Sequence, residues 1–116
     1  MDKFLITFSY SDGSWARMLD HSDDRTSAVA ALLECSGGKM EAMYWEVEDS
    51  AAHVTCGLPD SLSAKAAITA ATRTGGFKDV HLHQLLTQEQ LGSVVALAKN
   101  ASGIYHAPGA PQDDDF

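Results

Sequence analysis

Two histidines separated by one residue, His81 and His83, form the pair whose chemistry and spacing most directly indicate a functional site. Imidazole gains and loses a proton near neutral pH, which suits it to general acid or base catalysis in a partly dry pocket. The surrounding run, residues 78–86, alternates apolar and polar side chains and therefore predicts a β-strand. Both histidines then face one side of a sheet, opposite Val80 and Leu82.

The rest of the sequence predicts three more strands and the helices that connect them. The strands are expected at residues 3–10, 39–47 and 52–58. A short helical segment is expected from Trp15 to Leu19. The longer helices are expected from an N-cap at Ser22 to Gly37-Gly38, from Pro59-Asp60-Ser61 to Gly75-Gly76, and from a capping box of Thr87 with Gln90 to about Asn100.

This order of elements is typical of an α+β, ferredoxin-like βαββαβ sandwich with an extra C-terminal helix. In that fold two helices cover one face of a four-stranded antiparallel sheet, and the other face stays open. A chain of 116 residues fits one domain. We expect it over residues 1–101, followed over residues 102–116 by a flexible acidic tail rich in Gly, Pro and Asp.

Apolar positions on one side of each strand and helix predict the core. The strands are expected to contribute Phe4, Ile6, Phe8, Met40, Ala42, Tyr44, Val54, Cys56, Val80 and Leu82. The three long helices are expected to pack through Ala28, Ala31, Leu32 and Cys35, widened by Val29 and Leu33; through Ala64, Ala67, Ile68 and Ala71; and through Leu91, Val94, Val95 and Ala98.

The opposite side of the sheet then carries a mixture of side chains that suits neither water nor a dry core. Its expected members are Leu5, Thr7, Ser9, Met43, Trp45, His53, Thr55, His81 and His83. A second copy of the same sheet is the usual cover for such a face. We therefore expect a homodimer or higher oligomer, in which two sheets enclose a barrel-like cavity for a small apolar or aromatic ligand.

Four side chains are predicted to be catalytic: His81, His83, His53 and Tyr10. The histidines would transfer protons, and Tyr10 at the end of the first strand would hydrogen-bond a developing phenolate or enolate. The alternatives are histidines that lie at the sheet rim or make a hydrogen bond across the dimer, and a tyrosine ring that caps the core. The predicted substrate-binding residues are Trp45, as a stacking surface, with Met43, Leu5, Thr7, Ser9 and Thr55.

No metal and no cofactor is expected from these residues. A three-histidine zinc or copper site would need a distant third ligand beside His81 and His83, which is a weak signal. The paired glycines at positions 37–38 and 75–76 end helices, whereas phosphate sites require helix beginnings. Nucleotide cofactors are therefore disfavoured, as is covalent serine chemistry, since no Gly-x-Ser-x-Gly motif is present.

Charge and composition exclude other classes of partner. Eight basic and sixteen acidic residues give a net charge of -8, with no basic cluster, so neither nucleic acid nor a membrane surface is an expected partner. No apolar run approaches the length of a bilayer span, and no secretory leader is recognisable. We expect a cytoplasmic protein whose two cysteines, Cys35 and Cys56, are buried free thiols.

Short motifs along the chain resemble the GYD domain family of the dimeric α/β barrel superfamily. They are the run Lys3 to Tyr10 with Trp15, Asp24-Arg25, Gly37 to Glu41, Tyr44-Trp45, Pro59-Asp60 and Leu86-Thr87, and the resemblance covers about residues 3–100. The Gly-x-Tyr-Asp signature of that family is replaced by Glu48-Asp49-Ser50-Ala51. Whatever the signature tyrosine and aspartate do in relatives is therefore not carried over.

The resemblance leaves two functional hypotheses open. The superfamily includes cofactor-independent monooxygenases, isomerases, dehydratase-like enzymes and polyketide cyclases, so one hypothesis is a histidine acid/base enzyme acting on a planar, largely apolar substrate. The superfamily also includes ligand sensors and structural members. The alternative is thus a non-catalytic dimeric protein that binds a ligand or a partner.

Overall fold

A four-stranded antiparallel sheet is the framework of the molecule. The computed structural model describes residues 1–21 and 24–109. Its elements are β1 (Asp2–Tyr10), α1 (Asp12–Asp20), α2 (Arg25–Cys35), β2 (Lys39–Glu46), β3 (Ala51–Leu58), α3 (Ser61–Thr72), β4 (Phe77–Leu85) and α4 (Gln88–Ser102). The strands lie in the order β2-β3-β1-β4, which confirms the predicted ferredoxin-like α+β fold.

Side-chain caps explain where the helices begin. Ser11, Asp24 and Asp60 each accept a hydrogen bond from the backbone N–H three residues later. Thr87 and Gln90 form the predicted reciprocal capping box at the start of α4. The second long helix therefore begins at Asp24 and not at the predicted N-cap, Ser22, which lies outside the described residues.

The chain divides into two compact units, Met1–Leu85 and the remainder from Leu86. The first unit holds the sheet and the helices α1, α2 and α3. The described part of the second unit contains α4, whose apolar stripe is exposed: Leu91, Val94 and Val95 are 45%, 48% and 45% accessible. Within the described part of this unit nothing covers the stripe, and its expected packing stays a prediction.

The core lies between the sheet and the helices of the first unit. The alternating residues Phe4, Ile6, Phe8, Val54 and Cys56 of β1 and β3 are buried there as predicted, and Ala52 is buried with them. From α3, Ala64 and Ala67 are buried, and their small side chains let the helix approach the sheet closely. From β4, Val80 and Leu82 pack against the same cluster.

The expected packing of α2 is wrong in its rotation about the helix axis. Leu33 is its one buried residue, and Val29 and Leu32 are half-buried. Ala28, Ala31 and Cys35 are exposed. An apolar stripe made mostly of alanine fixes the rotation of a helix weakly, because little apolar area distinguishes one face from another.

A β-bulge in β2 reverses the predicted faces of that strand. Met40 pairs with Cys56, but Ala42 pairs with Thr55, so Glu41 is the extra residue. Beyond the bulge Met43 pairs with Val54 and Trp45 with Ala52, on the helix side. Ala42 and Tyr44, predicted for the core, therefore lie on the open side, whereas Met43 and Trp45 lie on the side that the helices cover.

Candidate functional site

The open face of the sheet is the surface that the helices leave uncovered, and its residues meet in register. In one row, Tyr44 pairs with His53, His53 with Thr7, and Thr7 with His81. In the next row Leu5 lies between Thr55 and His83. The central strand β1 thus places one hydroxyl between two imidazoles.

His53 is held at both ring nitrogens. Its Nδ1 lies 3.2 Å from Oγ1 of Thr7, and its Nε2 lies 3.0 Å from Oε1 of Glu46. The side chains of His53 and Glu46 are 35% and 40% exposed, so solvent partly screens the contact between them. Pairs of this kind contribute about 1 kcal/mol or less to stability. Their main effect here is to fix the plane of the imidazole ring.

The chemistry of the three groups sets the direction of these hydrogen bonds. An ionised carboxylate only accepts hydrogen bonds, so Nε2 of His53 carries the proton that Glu46 receives. In the neutral imidazole Nδ1 is then unprotonated and accepts a hydrogen bond from the hydroxyl of Thr7. Glu46, His53 and Thr7 form a carboxylate–imidazole–hydroxyl chain, which we call the β1–β3 relay.

His81 and His83 lie on the open face of β4, as predicted. Their ring centroids are 6.5 Å apart with an angle of 26° between the ring planes, and both residues are exposed. Among the described residues, neither imidazole has a hydrogen-bond or ion-pair partner. Their ring nitrogens are therefore available to a ligand, in contrast to those of His53.

Tyr10 does not belong to this face, and its predicted catalytic position is wrong. It is 2% exposed and lies in an aromatic cluster on the helix side. Its ring centroid is 5.1 Å from that of Phe77, 5.9 Å from that of Trp45 and 6.3 Å from that of Trp15. Tyr10 is separated from Phe4, Ile6 and Phe8 by an even number of positions, so its side chain lies on the same face of the strand and is buried with theirs.

Two predicted substrate-binding residues also leave the open face. Met43 packs against the core, and Trp45 stacks on Tyr10 with an interplanar angle of 24°. The bulge at Glu41 replaces them with Tyr44, which is 66% exposed, and aligns Glu46 with the same side. Tyr44 and Glu46 are the site residues that sequence reasoning missed. A bulge leaves no signal in an alternating pattern, although an acidic residue near a strand end beside His53 offered a partial one.

The remaining predicted lining residues lie where expected. Leu5, Thr7, Ser9 and Thr55 are all half-buried on the open face. At one end of this face is an open cavity of about 440 Å³. Its lining consists of Thr7, Ser9, Glu46, Asp49, Ala51, His53, Lys78 and Asp79. The relay therefore borders a space large enough for a small molecule.

A second cavity, of about 240 Å³, lies on the helix side between α2, α3 and the sheet. Its lining is mostly apolar and includes Phe8, Val29, Leu32, Ile68 and Val80. Alanines on both helices leave this space, because their side chains are too short to fill it. An apolar ligand suits such a cavity better than a polar one.

The cysteines differ in environment, and the prediction that both are buried is half right. Cys56 is completely buried in β3, whereas Cys35 is exposed at the end of α2. Burial, with a smaller contribution from the Glu41 carboxylate, raises the pKa of Cys56 to about 11. A thiol that stays protonated at neutral pH is neither a nucleophile nor a metal ligand.

No metal-binding group emerges from the described residues: nowhere in residues 1–21 and 24–109 do three His, Cys, Asp or Glu side chains lie close enough to hold an ion. The longest helix described, α4, has 15 residues, and none of the described helices has the length and apolarity to cross a bilayer.

Comparison with protein families identifies the sheet and its connecting helices. The family model for the GYD domain matches residues 4–95, which include every strand of the sheet except the first two residues of β1. No curated protein matches the chain. The matched range contains all members of the β1–β3 relay and both histidines of β4.

Proposed function

Since the chain belongs to the GYD domain family, matched over residues 4–95, we propose that its open sheet face binds a small molecule and catalyses proton transfer without a cofactor. The observation that carries this proposal is the pairing of Thr7 with His53 on one side and His81 on the other. Two imidazoles beside one hydroxyl make an acid/base site, provided that water is partly excluded.

The two imidazoles have different tasks in this proposal. His53 is immobilised by Thr7 and Glu46, so it orients and polarises its neighbours. His81 has accessible ring nitrogens and acts as the general base. A planar, largely apolar substrate loses a proton to His81, and the oxygen that gains negative charge accepts a hydrogen bond from His83, which takes the role predicted for Tyr10.

A second copy of the chain supplies the roof of the site. Tyr44 is 66% exposed beside His53, and Leu5 contributes apolar surface to the next row. Apolar side chains on a face of this kind are typical of a surface that another molecule covers. Two such faces packed together form the dimeric barrel that we propose, with the histidines lining its interior.

The reaction class follows from this chemistry. Abstraction of a proton from a carbon acid, followed by reprotonation or loss of a leaving group, is the common step of cyclases, isomerases and dehydratases. A cofactor-independent monooxygenase begins with the same step. The carbanion that forms then reacts with oxygen. The proposal therefore commits to carbon-acid substrates with an extended planar π-system.

Nitrobenzisoxazole is a planar, apolar probe whose ring opens when a base removes one proton, and the product is coloured. We expect the wild-type protein to accelerate this opening, and His81→Asn to slow it by about 100-fold, the usual worth of a general base. His83→Asn is expected to have a smaller effect. His21→Asn, at the exposed end of α1, is the matched control and keeps the wild-type rate.

Equal rates for the wild-type protein and His81→Asn would contradict the proposal, as would a wild-type rate no greater than that of buffer. Circular dichroism of each variant separates loss of the base from loss of the fold. His81 is exposed, so its replacement leaves the core packing intact.

The apolar cavity beneath α2 and α3 favours one alternative, a non-catalytic dimeric protein that binds an apolar ligand or a partner. Binding there needs none of the histidines. Ala71→Leu fills part of the cavity, so under this alternative it abolishes the binding of an apolar dye such as anilinonaphthalene sulfonate. No variant of the open face would then alter binding, and none would catalyse the opening of the benzisoxazole.

A further inference from the structure

We infer that the hydroxyl of Thr7 is a nucleophile, activated by His53 and Glu46, and that it accepts an acyl group from small uncharged esters. This activity is additional to the proton transfer proposed above and uses neither His81 nor His83. It rests on the β1–β3 relay and on the cavity at the end of the open face.

The relay has the connectivity that activates a hydroxyl in acyl-transfer enzymes. A base must receive the hydroxyl proton, and a third group must hold that base in the correct tautomer. Nδ1 of His53 is 3.2 Å from the Thr7 hydroxyl, and Glu46 holds the opposite nitrogen at 3.0 Å. The 3.2 Å contact is at the long end of the range for a base and its nucleophile before substrate binds.

All three members lie on strands, which limits their motion. Thr7 is in the central strand β1, His53 is its direct partner in β3, and Glu46 is at the end of β2. Backbone hydrogen bonds on both sides of β1 fix the position of Thr7 relative to His53. Catalytic groups on such elements stay close to their reactive geometry without rearrangement.

The cavity at Thr7 defines the substrate class. Its volume of about 440 Å³ admits a small ester, and its carboxylates Glu46, Asp49 and Asp79 repel an anionic one. Lys78 is the one cationic side chain in the lining. Its ammonium group lies 3.5 Å from Oδ1 of Asp12, and turning from this exposed pair toward the cavity lets it stabilise the oxyanion of a tetrahedral intermediate. An uncharged ester with a good leaving group therefore fits best.

Besides the ester, water is the only reactant that this reaction consumes. The oxygen of Thr7 bonds to the ester carbonyl carbon while its proton moves to Nδ1 of His53. The bond from carbon to the leaving alcohol then breaks, and the alcohol departs with that proton. Water, deprotonated by the same nitrogen, releases the acid and restores the hydroxyl of Thr7.

A fluorophosphonate probe tests this inference, because it labels activated hydroxyls irreversibly. The oxygen of Thr7 bonds to phosphorus, fluoride leaves, and the proton passes through His53 to water. We expect tandem mass spectrometry to locate the label on Thr7 in the wild-type protein. Thr7→Ser keeps the label, and Thr7→Val loses it. His53→Gln and Glu46→Gln slow labelling by about 100-fold and about tenfold.

Thr69→Val is the matched control, because Thr69 lies on α3 and donates its hydroxyl to the carbonyl of Lys65. It is expected to label at the wild-type rate. A wild-type protein that carries no label, or carries it at another residue, overturns the inference whatever the variants do. Labelling of Thr7 and opening of the benzisoxazole are measured separately on the wild-type protein, so failure of the nucleophile and failure of the base at His81 are distinguishable.

Discussion

Glu46 and His53 are joined across the β2–β3 hairpin by a contact of 3.0 Å between Oε1 and Nε2. They are not direct partners, since Glu46 pairs with Ala51 and His53 with Tyr44. The contact is therefore a diagonal one, on the same face and two residues apart along β3. It exists because the bulge at Glu41 moves Glu46 to the side of the sheet that carries His53.

The first prediction concerns the tautomer of His53. Because Glu46 accepts the proton on Nε2, the neutral ring is expected to be the Nε2–H tautomer, and nitrogen NMR of the imidazole distinguishes it from the other one. In Glu46→Ala this preference is lost, whereas Glu41→Ala leaves it unchanged, because Glu41 pairs with Lys3. A ring that is Nδ1–H in the wild-type protein would contradict the proposed direction of the relay.

The second prediction concerns Gly38, which follows the end of α2. A Cβ at this position would lie 2.2 Å from the carbonyl oxygen of Gly57 and 2.5 Å from Cδ2 of Leu58. Backbone in β3 cannot yield without disturbing the sheet, so Gly38→Ala is expected to destabilise the protein by about 3 kcal/mol or more.

Gly92 provides the control for this change. A Cβ there meets nothing within 4 Å, and the residue lies inside α4. Gly92→Ala is therefore expected to leave stability unchanged or to raise it by about 1 kcal/mol. Urea unfolding measures both variants. Equal stability of Gly38→Ala and the wild-type protein would contradict the close approach of α2's end to β3.

The third prediction concerns the pH dependence of thiol reactivity. Thiolates react with aromatic disulfide reagents and thiols do not. Cys35 is exposed and is expected to react rapidly in the folded protein, whereas Cys56 is buried and its pKa is raised to about 11. At a pH near that value half of the Cys56 thiol would be ionised. We still expect the reagent to react slowly with Cys56 until the protein unfolds, because the buried side chain is out of its reach.

Burial of Cys56 also makes alkaline pH destabilising. The unfolded thiol ionises near its ordinary pKa of 9.0, and the folded one near 11. The protonated thiol's contribution is thus complete below pH 9.0 and is lost as the pH rises to about 11. Cys56→Ala, which cannot ionise, is expected to lose less stability over this range. Rapid reaction of both thiols in the folded wild-type protein would contradict the burial.

The sequence determines most of the fold because its strand patterns and caps are strong. The alternation of β1, β3 and β4 and the caps at Asp60 and Thr87 each predict a local structure that the chain adopts. The open face was likewise predictable for His53, His81, His83, Leu5, Thr7, Ser9 and Thr55, because their strands keep a period of two.

The errors have physical causes that a pattern of residue types does not carry. The bulge at Glu41 shifts the alternation of β2 by one residue, which exchanges Trp45 for Tyr44 on the open face and brings in Glu46. The position of Tyr10 at a strand end suggested a place at the edge of the cavity. Tyr10 is two residues from Phe8, however, so its side chain lies on the same face of β1, in the core. Cys35 is exposed because an alanine-rich helix has several nearly equivalent faces.

We propose that a second copy of the chain covers the open sheet face, and the molar mass in solution distinguishes this dimer from a single chain. Light scattering is expected to give about twice the 12.4 kDa of one chain for the wild-type protein. Tyr44→Glu, which buries a charge at the proposed interface, is expected to give 12.4 kDa, and Leu62→Glu on the exposed side of α3 keeps the dimer. A single-chain mass for the wild-type protein, or the same dimer for Tyr44→Glu, would contradict the claim.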